Sequence, residues 1–189
     1  TGVLYGDNTD WIGMRDSIQN MLLHASSNNN TQKLVSGAVQ EGPMNNKNTK
    51  ASSSSFSFVC KRGLVIGAGG TARAAIYCLL QMGCDQIEVY NRTFAKAEAL
   101  ASEFQVQAIA TLVDATMYDV VLCTIPASAG FTLPKGTWRQ ERGEESKTKT
   151  SSASASTSTS FVGPKVVLDA AYRPRETALL RQARNESHG

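Results

Sequence analysis

A short apolar run, Leu64-Val65-Ile66, closes on Gly67 and leads at once into Ala68-Gly69-Gly70-Thr71-Ala72. No other feature of the sequence restricts the fold so strongly. An apolar run of this length ending on glycine has the character of a strand buried on both faces, as in a parallel sheet. After the turn, Ala72, Ala75, Ile76, Leu79 and Leu80 recur as the buried stripe of a helix, and Gly83 stands where a C-terminal cap is expected. Gly67 permits the tight turn, Gly69 lets backbone approach a pyrophosphate, and small Ala72 lets the helix pack close to the strand. The helix start presents N–H groups and the positive end of a dipole to an anion. A glycine-rich turn that binds nothing is the plain alternative. The order strand, turn, helix, strand favours a nucleotide.

The same alternation continues along the chain. Gln86-Ile87-Glu88-Val89-Tyr90 reads as a second strand, and Ala97, Leu100, Ala101 and Phe104 mark a second helix. Val106 to Ile109, Tyr118 to Thr124 and Lys165 to Ala170 are the next three strands. Near the N-terminus, Trp11, Met14, Ile18, Met21 and Leu22 recur at helical spacing from Asp10 to His24, with Asn8, Thr9 and Asp10 as candidate caps. Parallel strands need crossovers, so the expected fold class is α/β: a Rossmann-like, doubly wound, mostly parallel sheet in three αβα layers.

Two polar stretches interrupt this pattern. Residues 26–57 are rich in Ser, Asn, Thr, Gly and Lys, and from Ser146 to Ser160 eleven of fifteen residues are Ser or Thr. Neither can bury enough apolar area to offset the entropy of ordering, so both are expected to be disordered insertions, the second over about 139–160. The expected organisation is therefore a helix over 1–25, an insertion over 26–57, a nucleotide-binding domain over 58–184 and a short tail over 185–189.

The 189 residues carry 19 basic and 16 acidic side chains, scattered rather than striped, so no direct contact with nucleic acid is expected. Cys60, Cys78, Cys84 and Cys123 show no metal-ligand spacing and lie mostly in or beside apolar runs, which fits a reducing compartment and no metal. No stretch approaches the roughly 20 apolar residues of a membrane span. A soluble, cytoplasmic protein is expected. The first residue is Thr1 rather than Met, which suggests a piece of a longer chain.

The end of the second strand bears on which dinucleotide is bound. A carboxylate there would hold the ribose hydroxyls of NAD, but Tyr90 is followed by Asn91-Arg92-Thr93, with Lys96 one turn on. Arg92 and Lys96 suit a 2′-phosphate, and Asn91 and Thr93 can add hydrogen bonds, so the expected cofactor is NADP. The bland reading makes Arg92 and Lys96 solvated residues at a helix start and Glu88 an outward strand residue.

Several segments, in order, resemble the shikimate dehydrogenase family, especially its version at the C-terminal end of the fungal pentafunctional arom polypeptide. Gly6-Asp7-Asn8-Thr9-Asp10-Trp11-Ile12-Gly13 resembles the family's G-x-N-T-D-x-x-G, and Val65 to Arg73 its glycine-rich turn. Asn91 to Lys96 resembles its N-R-T-x-x-K, Thr124-Ile125-Pro126-Ala127 is similar to the arom-type sequence after a later strand, and Asp169 to Thr177 resembles its D-x-x-Y-x-P-x-x-T.

The resemblance implies reversible hydride transfer between NADPH and 3-dehydroshikimate. It implies that Asp10 shares the proton on the reacting oxygen with a lysine of the substrate domain, although by itself Asp10 reads as a helix cap. It makes Asn8, Asp10 and Tyr172 the substrate-binding residues. It makes Gly67, Ala68, Gly69, Gly70, Thr71, Ala72, Asn91, Arg92, Thr93, Lys96, Thr124 and Pro126 the cofactor-binding residues. The family's substrate domain, with its lysine, would precede Thr1, and its closing glutamine-containing helix would follow Gly189. The expected partners are a shikimate-like or quinate-like small molecule and that substrate domain, and this chain alone is expected to be inactive. Two alternatives remain: a non-catalytic sensor domain like that of the fungal quinate-pathway repressor, which would be nuclear, and a quinate dehydrogenase.

Overall fold

The computed structural model describes residues 9–27, 59–141 and 160–187. Helix α1 spans Asp10–Ser27, strand β1 Arg62–Ile66, α2 Gly70–Gln81, β2 Gln86–Tyr90, α3 Phe94–Phe104 and β3 Gln107–Ile109. Then come β4 Val120–Cys123, β5 Arg139–Glu141, β6 Ser160–Val162, β7 Val166–Asp169 and α4 Ala178–Ser187. The main sheet has five strands in the order β3-β2-β1-β4-β7, every neighbouring pair parallel. Its strand order reverses at β1, the switch point of a doubly wound Rossmann-like fold.

Alternate residues of each strand enter opposite layers. Val65, Val89, Val120 and Leu122 join the core under α1, α2 and α3, whereas Leu64, Ile66, Val121 and Val167 pack under α4. The second layer is completed by the connection from β3 to β4, which contributes Ala115 and Tyr118, and by Leu133 and Trp138. Gln182 of α4 holds that face to the segment before β5, accepting from Leu133 N at 2.8 Å and donating to Leu133 O at 3.0 Å.

Two sequence expectations need correction. Leu80 is not on the buried stripe of α2: it is 40% exposed, while Ala74 and Cys78 are buried. Helix α1 packs on α2, with the Trp11 and Tyr77 rings edge to face at 5.3 Å. The covered stripe is therefore rotated towards Ala74 and Cys78. The second polar stretch is not without order throughout: β5 and β6 form an antiparallel pair, Arg139 opposite Val162 and Glu141 opposite Ser160. Gly163, just after β6, takes φ of +146°, and a Cβ there would stand 2.6 Å from Trp138 Cδ1. Residues 142–159 between the two strands lie outside the described residues, as do 28–58 of the first polar stretch, while Ser26 and Ser27 are the last residues of α1. Gly83 follows α2 as expected, with φ of +72° and Cys84 N bonded back to Leu79 O at 3.0 Å. Among the described residues, no helix is long and apolar enough to cross a membrane.

Candidate functional site

The parallel registers line up the C-terminal ends of four strands. Ile66 stands opposite both Tyr90 and Cys123, and Cys123 opposite Asp169. One residue further on, Gly67 N donates to Tyr90 O, Thr124 N to Ile66 O and Ala170 N to Cys123 O, each at 2.8 Å. Asn91, Gly67, Thr124 and Ala170 thus form one row along the edge of the sheet, where open α/β folds place ligands.

Gly67 has φ of +115°, and a Cβ there would stand 2.4 Å from Thr124 Oγ1 and 3.1 Å from Ile125 Cγ2. The glycine is therefore required twice, by its backbone angle and by its neighbour. Thr124 Oγ1 donates to Ile66 O at 2.8 Å, which fixes the side chain that presses on the turn. Gly69 and Gly70 are different: a Cβ at either would meet nothing within 4 Å. The space beside them is open, and the N–H groups of the first turn of α2 are directed towards it by the helix geometry. Ala72 is buried against the sheet, in keeping with its expected packing role, and Ala68 packs partly on the same core.

An open cleft of about 420 Å³ lies over this row. Thr71 contributes from the start of α2, Thr124 to Ser128 from the segment after β4, and Ala170 to Arg173 from the segment after β7. Three expected cofactor positions, Thr71, Thr124 and Pro126, thus meet Tyr172 in one cavity. Tyr172 is 84% exposed.

The segment carrying Tyr172 is fixed from below. Asp169 accepts from Ala171 N at 3.0 Å and from Thr177 Oγ1 at 2.7 Å, and Thr177 Oγ1 in turn accepts from Leu180 N at 3.4 Å in the first turn of α4. The first and last residues of the D-x-x-Y-x-P-x-x-T pattern are therefore the braces of the loop, a role that strand and helix periodicity does not reveal. Sequence reasoning also missed Ser128, in the 3-10 turn Ala127–Ala129, and Arg173, in the loop after β7, which both line the cleft. Burial, then the charge of Asp169, push the Cys123 thiol up to about 12.

Beside the turn, Asn91 uses its Nδ2 to hold Thr93 O at 3.0 Å. Arg92, Thr93 and Lys96 are exposed at the start of α3, and the Thr93 hydroxyl makes no capping bond. These side chains stand outside the cleft lining, next to it along the sheet edge. Glu88, the only carboxylate of β2, faces away from this edge, taking a hydrogen bond from Tyr118 OH. Asp10 is exposed in the first turn of α1 and does not line the cleft, and Thr9 O receives the N–H groups of Ile12 and Gly13. Asn8 lies outside the described residues.

The sheet order, the turn at the switch point and the cleft above it define a Rossmann-like α/β protein. Residues 49–142 match the family described as shikimate / quinate 5-dehydrogenase. The chain is 31% identical to the pentafunctional AROM polypeptide of Kluyveromyces lactis, over 96% of its own length and 9% of that protein. It is 30% identical to the quinate repressor protein of Emericella nidulans, over 98% of its own length and 18% of that protein. The chain thus spans a minor part of the curated relatives it matches. Its fold is similar to shikimate 5-dehydrogenase from Thermus thermophilus, solved in complex with NADP(H) and shikimate, with a TM-score of 0.52 and 22% identity over 97% of this chain and 49% of that one.

Proposed function

We propose that this chain is the cofactor-binding portion of an NADP-dependent shikimate dehydrogenase, which interconverts 3-dehydroshikimate and shikimate when joined to a substrate domain. The observation that carries the reading is the single row of Asn91, Gly67, Thr124 and Ala170. It sets the open space at Gly69 and Gly70, the basic residues after β2 and the cleft under Tyr172 side by side. In this reading the first N–H groups of α2 hold the pyrophosphate, and Arg92, Thr93 and Lys96 hold the 2′-phosphate. Thr124, Pro126 and Tyr172 flank the nicotinamide end. The bound NADPH supplies the hydride. Asp10 and Asn8 work at the substrate, together with a lysine of the substrate domain. Residues 58–184 form the nucleotide-binding unit, and the protein works in the cytoplasm.

Titrating the chain with NADPH and NADH, with and without Arg92→Ala, tests this. NADPH should bind more tightly, and the substitution should weaken NADPH by roughly tenfold or more while leaving NADH little changed. Equal weakening of both removes Arg92 from the 2′-phosphate, and tighter binding of NADH overturns the cofactor assignment. Turnover of 3-dehydroshikimate by this chain alone at an ordinary enzymatic rate would overturn the need for a substrate domain.

The similarity to the quinate repressor protein over nearly the whole chain supports a second reading, a dehydrogenase-like sensor that binds ligands without turnover. The full reading frame separates the two: a lysine upstream in the family's catalytic context supports the enzyme, and its replacement supports the sensor.

A further inference from the structure

At the edge of the sheet opposite the cleft, two thiols face each other. Cys60 lies two residues ahead of β1 and Cys84 two residues ahead of β2. The β1–β2 register begins with Arg62 opposite Gln86, so both cysteines stand just ahead of the first paired residues. Asp85 N donates to Cys60 O at 3.1 Å, which holds the chain just before β2 against the chain just before β1. Neighbouring strands run about 4.8 Å apart, within the Cα separation of roughly 4.4–6.8 Å that a disulfide spans. Both side chains are buried in the same core cluster, and Cys84 Sγ would stand 3.2 Å from a Cβ placed on Gly63 of β1.

We propose that Cys60 and Cys84 form a reversible disulfide when the protein meets hydrogen peroxide. Cys84 is 9% exposed and Cys60 1%, so a small oxidant reaches Cys84 first. The neighbouring Cys60 thiol lowers the pKa of Cys84, whose own thiol donates to Gln86 O at 3.5 Å. The nearby carboxylates of Asp85 and Asp119 oppose ionisation, so the reaction is slow compared with that of an exposed thiolate. The Cys84 thiolate attacks one peroxide oxygen, the O–O bond breaks, and Cys84 sulfenic acid and hydroxide result. Cys60 sulfur then attacks the Cys84 sulfur. The S–O bond breaks, water leaves with the Cys60 proton, and the S–S bond closes. Two thiols are oxidised by two electrons and one peroxide is reduced. Cys78 on α2 and Cys123 at the end of β4 are the two other cysteines of the chain and serve as internal controls.

The test is peroxide treatment of the folded wild-type chain, alkylation in denaturant, and peptide mapping by mass. The expected result is a Cys60–Cys84 linked peptide pair, the loss of two of the four alkylatable cysteines, and their recovery with dithiothreitol. Cys60→Ser should stop at a sulfenic acid on Cys84 that dimedone traps. Full alkylation of both Cys60 and Cys84 at peroxide levels that oxidise exposed methionine overturns the proposal, and so does a bridge involving Cys78 or Cys123. The wild-type map decides the matter even if Cys60→Ser fails to fold.

Discussion

The hydroxyl of Thr177 donates to Oδ2 of Asp169 across 2.7 Å, tying the start of α4 to the end of β7 beneath the loop that carries Tyr172. Thr177 is buried, so Thr177→Val leaves a carboxylate oxygen and the Leu180 N–H without their partner. The expected loss is about 1–3 kcal/mol in urea denaturation, with Thr177→Ser close to wild type. A valine variant as stable as wild type would mean that the loop is held by other contacts.

Gly67 and Gly69 should respond differently to alanine. Gly67→Ala forces a Cβ onto Thr124 Oγ1 at a backbone angle that alanine resists, so both thermal stability and nucleotide affinity should fall. Gly69 has φ of −99° and open surroundings, so Gly69→Ala should fold normally and lose affinity, by roughly tenfold or more, because the methyl takes space meant for pyrophosphate. Fluorescence titration with NADPH beside a melting curve distinguishes them. Unchanged affinity in Gly69→Ala would move the phosphate site elsewhere.

Asp119 ties the start of the sheet together at acid-sensitive bonds. Burial alone would raise its pKa, but Lys165 at 2.8 Å and the N–H groups of Arg62 and Lys61 outweigh that and hold it below the ordinary value. A lowered folded pKa gives stability that is complete above the unfolded value and lost as pH falls through the folded one. Asp119→Asn should therefore be less stable than wild type at neutral pH, with the gap in melting temperature closing below about pH 4. A gap that persists unchanged at acid pH would show that the charge is irrelevant.

Tyr118 supplies the alkaline counterpart. Burial, then the hydrogen bond to Glu88 and its charge, raise the phenol pKa. The corresponding stability is complete below the unfolded value near 10 and is lost as pH rises. Tyr118→Phe should cost about 1 kcal/mol at neutral pH and flatten the alkaline limb of the stability profile. An alkaline limb identical to wild type would exclude Tyr118 as its source.

Much of this architecture can be read from residue order. Leu64-Val65-Ile66 and Val120-Val121-Leu122 are buried on both faces, and such runs are visible without coordinates. The width of a helix stripe is harder to read: Leu80 has the right spacing, but α1 covers the flank of Ala74 and Cys78 instead. Strands β5 and β6 have three residues each, too few for an alternation to register. At the site, Gly67, Thr124 and Tyr172 stand out through their surrounding patterns. Arg173 and Ser128 do not, because a loop and a three-residue 3-10 turn are too short or irregular to show a period, and the bracing by Asp169 and Thr177 depends on two residues brought together by a turn.

The pairing of Glu141 with Ser160 brings the departure and return of residues 142–159 to adjacent positions, and Trp138 seated on Gly163 closes the base of that junction. Segment length at this point is thereby uncoupled from the geometry of the sheet, since lengthening a loop whose ends already meet costs only a slowly growing entropy. The junction is a natural graft site, where an epitope or reporter could be spliced in place of the serine-rich stretch without moving any strand that frames the cleft.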